Sequence, residues 1–270
     1  MNASPLESAL RRDRMIVGGA LAVAVLLSWT YILSGAGTGM AALPMSGLPT
    51  AMRLSRPLTV MQPVPWTVGY TSVIFVMWWL MMIAMMLPSA TPMILLFAAV
   101  SRNRREVAAT YIETGAFGSG YLAVWGGFSV IAVTLQWRLD VVALLSPMML
   151  TTSVAIGALL LMGAGAWQFT PLKRACLRHC GSPADFLTHH WRNGRAGAFY
   201  MGMRHGAYCL GCCWMMMLLL FYGGIMNIYW IAGLSVVVLV EKITPLRYQA
   251  ANLIGVTLII WGGTVLAQLI

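Results

Sequence analysis

Two short segments of the chain concentrate side chains that bind metals or exchange electrons. Cys176, His179 and Cys180 are spaced as C-x2-H-C, and His205, Cys209 and Cys212 as H-x3-C-x2-C, with Cys213 adjacent. An α-helix turns about 100° per residue, so positions 205, 209, 212 and 216 fall within a stripe roughly 60° wide. His205, Cys209, Cys212 and Met216 would share one helix face, with Met201 one turn earlier. A rise of about 1.5 Å per residue sets His205 and Cys212 roughly 10 Å apart along the axis, so one ion would need ligands from elsewhere or local unwinding. Cys176, His179 and Cys180 could supply them, because i, i+3 and i+4 share a face if that stretch is helical.

A third donor set is built from thioethers. The run Met77-Trp78-Trp79-Leu80-Met81-Met82-Ile83-Ala84-Met85-Met86-Leu87-Pro88-Ser89 puts Met77, Met81 and Met85 in one helical row and Met82 and Met86 in the next. A proline inside a helix removes a backbone hydrogen bond, so Pro88 frees the carbonyl of Ala84 and Pro92 that of Pro88. Soft thioether and thiolate donors together favour Cu(I), whereas Cys and His alone would suit Zn(II) equally well. Met40, Met45, Met52, Met61, Met148 and Met149 add weaker candidate donors. Two competing readings stay open: buried cysteines as small hydrophobes that pack helices beside Gly211, and Cys209-x-x-Cys212 as a catalytic dithiol.

The elements that must position these donors are membrane spans. A hydrophobic fraction of 60% with 9% charged residues lies outside the globular class. Windows of about 20 apolar residues recur along the chain. Seven are expected: Met15 to Leu33, Gly69 to Leu87, Gly115 to Leu135, Thr152 to Phe169, Tyr200 to Phe221, Ile225 to Val240 and Gln249 to Leu269. The sixth is short, and only Tyr222, Gly223 and Gly224 part it from the fifth. The fold class is thus an all-α, polytopic transmembrane helix bundle forming one domain over residues 1–270.

Charge gives the orientation, since cytoplasmic loops carry the excess of Lys and Arg. Of 17 basic residues, only Arg53, Arg56 and Arg138 fall on the outer side when the N-terminus is inside. The expected topology is N-in and C-out. It leaves an outer loop at 34–68 and a cytoplasmic Cys/His loop at 171–199, which also carries His189 and His190. All five cysteines and the methionine-rich half of the second span then lie toward the reducing side, where structural disulfides are disfavoured. The first apolar run is full span length and follows Arg11, Arg12 and Arg14, which reads as an anchor rather than a cleaved signal.

Other features narrow the function. The net charge of +10 is spread over short loops beside spans and not gathered in a patch with aromatics, so nucleic acid is excluded as a partner and lipid headgroups are expected instead. No phosphate-binding G-x-x-x-x-G-K-[ST] loop is present. Glu241 and Lys242 close the sixth span before Pro245. They read either as an interfacial pair, the lysine reaching for the headgroups, or as part of a site. Gln168 and Asn252, polar groups within spans, are expected to hydrogen-bond neighbouring helices.

The run from Trp78 to Ser89, the segments Lys173-Arg174-Ala175-Cys176-Leu177-Arg178-His179-Cys180 and His205-Gly206-Ala207-Tyr208-Cys209-Leu210-Gly211-Cys212-Cys213-Trp214, and Glu241-Lys242 occur in that order. Together they resemble an uncharacterised bacterial family of predicted metal-binding integral membrane proteins, over roughly Trp66 to Leu269. The resemblance implies metal binding without naming a metal or a reaction. The leading expectation is a multi-pass protein of the bacterial inner membrane that moves or delivers Cu(I). Its ligands would be Cys176, His179, Cys180, His205, Cys209, Cys212, Met81, Met82, Met85, Met86 and Met216, exchanging the ion with a soluble or membrane metal-delivery partner. A thiol-disulfide oxidoreductase and a structural subunit of a membrane complex are the alternatives.

Overall fold

The computed structural model describes residues 5–37, 65–102, 107–145 and 153–268. Among them every regular element is an α-helix. In chain order these are α1 (Pro5–Leu33), α2 (Val68–Arg102), α3 (Val107–Val141), α4 (Val154–Gln168), α5 (Pro171–Cys180), α6 (Pro183–His190), α7 (Gly194–Leu218), α8 (Leu220–Gly223), α9 (Ile228–Ile243) and α10 (Arg247–Ala267). Most of the 34–68 connection lies outside the described residues, with Arg53, Arg56, Met40, Met45, Met52 and Met61. So do Arg104, Arg105, Met148 and Met149.

Each expected span falls on a helix. Among the described residues, five stretches are long and apolar enough to cross a membrane: within α1, α2 and α3, across α7 with α8, and α10. α4 reaches that length only with α5, across a bend of 67°. α9 has 16 residues, a rise of about 24 Å against the roughly 30 Å of a hydrocarbon core. The break that separates it from the α7–α8 stretch is real: Gly224 adopts φ +96°, a conformation that favours glycine, and Asn227 caps α9 by accepting from Trp230 N.

The stretch 171–199 is not irregular. Thr170 Oγ1 accepts from Lys173 N and Pro171 occupies the first turn, a start signal that makes Pro171–Cys180 helical. α6 follows after Gly181 and Ser182 with Pro183 in its own first turn. Cys176, His179 and Cys180 therefore do lie on a helix.

Polarity is distributed inside out. Val23, Leu26 and Leu27 of α1 and Leu253 and Ile260 of α10 are exposed, whereas Ser101, Gln136, Gln168, Lys173, His205, Glu241 and Lys242 are buried. Several interior polar groups are paired across helices. Trp78 Nε1 donates to Gln136 Oε1 at 2.7 Å, tying α2 to α3. Asp13 joins α1 to both, accepting from Tyr111 OH at 2.5 Å and lying 3.5 Å from Arg102 Nε.

α3 and α7 approach backbone to backbone, and two glycines allow it. A Cβ at Gly120 would meet Phe199 O on α7, and one at Gly202 would meet Phe117 O on α3. Small residues at such a crossing let two backbones approach, and the approach fixes what lies one or two turns further along. Here it brings Tyr121 of α3 against His205 and Cys209 of α7.

Candidate metal centre

The stripe expected on one helix face is the buried face of α7. Met201, His205, Cys209, Cys212 and Met216 are each 2% exposed or less, and Cys213 is fully buried beside them. All five cysteines are free thiols. Cys209 O accepts from both Cys212 Sγ and Cys213 Sγ at 3.0 Å, the usual way a thiol inside a helix spends its proton on the preceding turn.

Two other helices bring sulfur to this face. From α2, Met86 Sδ lies 3.8 Å from Cys213 Sγ. From α5, Cys180 is buried beside the Cys209 and Cys212 thiols. Met77, Met81, Met82 and Met85 are also buried in α2, so the methionine row faces inward as a block. α2 stays helical through Pro88 and Pro92, and polar groups gather on the turn before Pro88. Met86 O accepts from Ser89 Oγ at 2.8 Å and from Tyr121 OH at 3.1 Å.

The Tyr121 hydroxyl also lies 3.1 Å from Cys209 Sγ. The same sulfur meets Lys242 of α9, whose Nζ donates to Cys209 Sγ and to Ser89 Oγ, both at 2.9 Å. Lys242 is 5% exposed and does not reach for headgroups. Its partner is not Glu241 either. Glu241 Oε2 accepts from Lys173 Nζ of α5 at 2.7 Å, and Gln168 Oε1 accepts from the same ammonium. Gln168 Nε2 then donates to Met216 Sδ at 3.3 Å, linking the ion pair to the sulfur stripe.

The C-x2-H-C segment is divided between inside and outside. Cys180 joins the cluster. Cys176 is partly exposed, and its Sγ lies over Gly211, so close that a Cβ there would come within 2.7 Å. His179 stacks on Tyr208 with ring centroids 4.6 Å apart and lies 6.3 Å from the His190 ring, away from the buried thiols. Burial and the neighbouring Arg178 guanidinium push its imidazole below the ordinary histidine range. His205 takes a different place, between Phe117, Tyr121 and Phe186, with Nδ1 buried and without a partner.

These donors fit a soft ion. They are mostly sulfur, and Nδ1 of His205 is a buried ring nitrogen without a hydrogen-bond partner. Among the described residues no group of three or more His, Cys, Asp or Glu side chains is gathered as a ready cage. Tyr121, Ser89 and Cys213 were not identifiable as site residues by spacing; they enter because the helix crossing brings them there. Lys242 had a signal, a charged residue at the end of an apolar run, and so did Glu241.

A family model described as PpoB2, copper chaperone, matches residues 75–265. The matched region spans α2 to α10 and agrees with the extent of the motif resemblance. No curated protein and no solved structure matches the chain.

Proposed function

Because the chain belongs to the PpoB2 family of copper chaperones, we propose that it carries Cu(I) on the buried sulfur face of α7 and delivers it by ligand exchange to a partner protein. The observation that carries this reading is the meeting of three helices at one set of soft donors: Cys209, Cys212 and Cys213 from α7, Cys180 from α5 and Met86 from α2. Cu(I) accepts two or three such ligands, and low coordination leaves room for an incoming donor to displace an outgoing one.

The chain's own residues set the terms of that exchange. Cys209 and Cys212 are the central thiolates, with Cys180 approaching from α5 and His205 one turn away. Met86 and Met216 are neutral donors at the edges of the cluster, and Met81, Met82 and Met85 continue the thioether row along α2. Cys176 and His179, nearer the surface, are the donors from which a partner would take the ion or to which it would bring it. The ammonium of Lys242 touches Cys209, so an arriving copper ion competes with it for that sulfur.

The setting is a seven-span protein of the bacterial inner membrane with its N-terminus inside. The apolar outward face, the buried charges and the loop arginines support that arrangement. The test is elemental analysis of the detergent-purified full chain after expression in copper- and zinc-supplemented medium, beside a Cys180→Ser/Cys209→Ser/Cys212→Ser variant. About one copper per wild-type chain and none in the variant is expected. Wild-type protein without copper, zinc in its place, or a variant that keeps its copper would overturn the reading.

A further inference from the structure

Away from the sulfur cluster, Arg174 and Arg178 line a cavity of about 570 Å³ with Pro171, Ala175, Tyr248 and Asn252. The two arginines are one turn apart on α5, about a third of a turn around the helix from the buried Lys173, Leu177 and Cys180. Tyr248 and Asn252, one turn apart on α10, supply the other wall.

Two requirements of this cavity are unmet. Neither arginine has an acidic partner among the described residues, and Arg247 brings a further guanidinium to the neighbouring Gly181. Asn252 was expected to bond a neighbouring helix, yet its Oδ1 is buried without a hydrogen-bond partner. Guanidinium groups bind phosphate through paired N–H···O bonds, which answers the first requirement. An orphaned carboxamide oxygen needs a donor, which a bare phosphate does not provide and a hydroxyl does.

The surroundings add a third condition. Leu172 and Leu253, next in sequence to the lining residues Pro171 and Asn252, and Leu246, two before Tyr248, are exposed apolar side chains. A soluble anion would leave them unused, whereas acyl chains would cover them. Pockets between membrane helices with basic walls suit lipid headgroups, and the volume lies within the roughly 300–1,000 Å³ of small-ligand sites.

We propose that this cavity binds an anionic phospholipid with a hydroxyl-bearing headgroup, of the phosphatidylglycerol type: its phosphate meets Arg174 and Arg178, and its headgroup hydroxyl donates to Asn252 Oδ1. The site is independent of the copper reading, because none of its residues belongs to the sulfur cluster.

Native mass spectrometry of the full chain in detergent tests it, with phosphatidylglycerol, phosphatidic acid, phosphatidylcholine, glycerol 3-phosphate and inorganic phosphate as probes. Phosphatidylglycerol is expected to bind at least tenfold tighter than phosphatidylcholine and several-fold tighter than phosphatidic acid. Arg174→Gln/Arg178→Gln should lose tenfold or more, and Ala175→Trp should lose as much by filling the cavity with both charges intact. Asn252→Leu should abolish the preference for phosphatidylglycerol over phosphatidic acid, while Arg195→Gln, an exposed arginine outside the cavity, should change nothing. Equal binding of charged and neutral lipids, or a double-arginine variant that binds like wild type, would overturn the proposal. Displacement of the lipid by millimolar inorganic phosphate or glycerol 3-phosphate would assign the cavity to a soluble phosphate and overturn it equally.

Discussion

Lys242 Nζ lies 2.9 Å from Cys209 Sγ, so the end of α9 lays an ammonium group on a sulfur of α7. Two effects on copper oppose each other. The ammonium supplies a counter-charge for a thiolate, but it also repels a second cation. Two charges about 4 Å apart interact by roughly 4 kcal/mol at an effective dielectric of about 20. Attraction should win, because Cu(I) held by the Cys209 and Cys212 thiolates carries a net negative charge that the ammonium balances. Lys242→Met is therefore expected to bind Cu(I) at least about tenfold more weakly, about 1.4 kcal/mol, in competition with a chromophoric Cu(I) chelator. Tighter binding would mean that repulsion between the ammonium and the ion outweighs its support of the thiolates.

Met86 is the α2 residue whose sulfur touches the α7 cluster, at 3.8 Å from Cys213 Sγ. Leucine keeps most of its volume and none of its donor character. Met86→Leu should cost less than about 1.5 kcal/mol of stability, yet weaken Cu(I) binding about tenfold. X-ray absorption at the copper edge should show mainly sulfur scatterers in wild type, with fewer of them in the variant. Unchanged spectra and affinity would remove α2 from the ligand set.

Glu241 and Lys173 are each about 1% exposed at the side chain and form a 2.7 Å ion pair. A buried pair is costly to break from one side, because the remaining charge has no solvent to return to. Glu241→Gln is expected to destabilise the folded chain by about 3–5 kcal/mol, read as a lower melting temperature in detergent. Lys173→Met/Glu241→Leu, which removes both charges, should recover most of that loss. A single variant as stable as wild type would show that Gln168 alone satisfies the Lys173 ammonium.

Helix periodicity carried much of this architecture in the sequence. Residues 205, 209, 212 and 216 share a face for reasons of geometry alone, and that face is buried. The break at Gly224 was visible as a glycine pair between two apolar runs. Less legible was which helices meet, because pairwise contacts between spans depend on where backbones can approach. Gly120 and Gly202 look like any other glycines in an apolar run, yet their crossing is what brings Tyr121 to Cys209. Adjacent residues can also part company: Glu241 and Lys242 read naturally as a pair, but a helix turn points one at Lys173 and the other at Cys209. His179 looked equivalent to Cys180 by spacing, and a difference of about 100° around α5 separates them.

Gly202 supplies the most direct test of that helix crossing. A Cβ there would overlap Phe117 O, a backbone atom that can move only if α3 moves with it. Overpacking of this kind typically costs about 1–3 kcal/mol when side chains can adjust, and a backbone clash belongs at the upper end. Gly202→Ala should therefore lower the melting temperature, and Gly202→Val should lower it further. Because Tyr121 and Cys209 lie two turns or fewer beyond the crossing, the displaced α3 should also carry the tyrosine away from the sulfur. The reaction rate of Cys209 with a small thiol reagent should then rise in Gly202→Ala, measured against a background of Cys176→Ser to remove the most exposed thiol. A Gly202→Ala protein with wild-type melting and unchanged Cys209 reactivity would show that α3 and α7 are not in close backbone contact there.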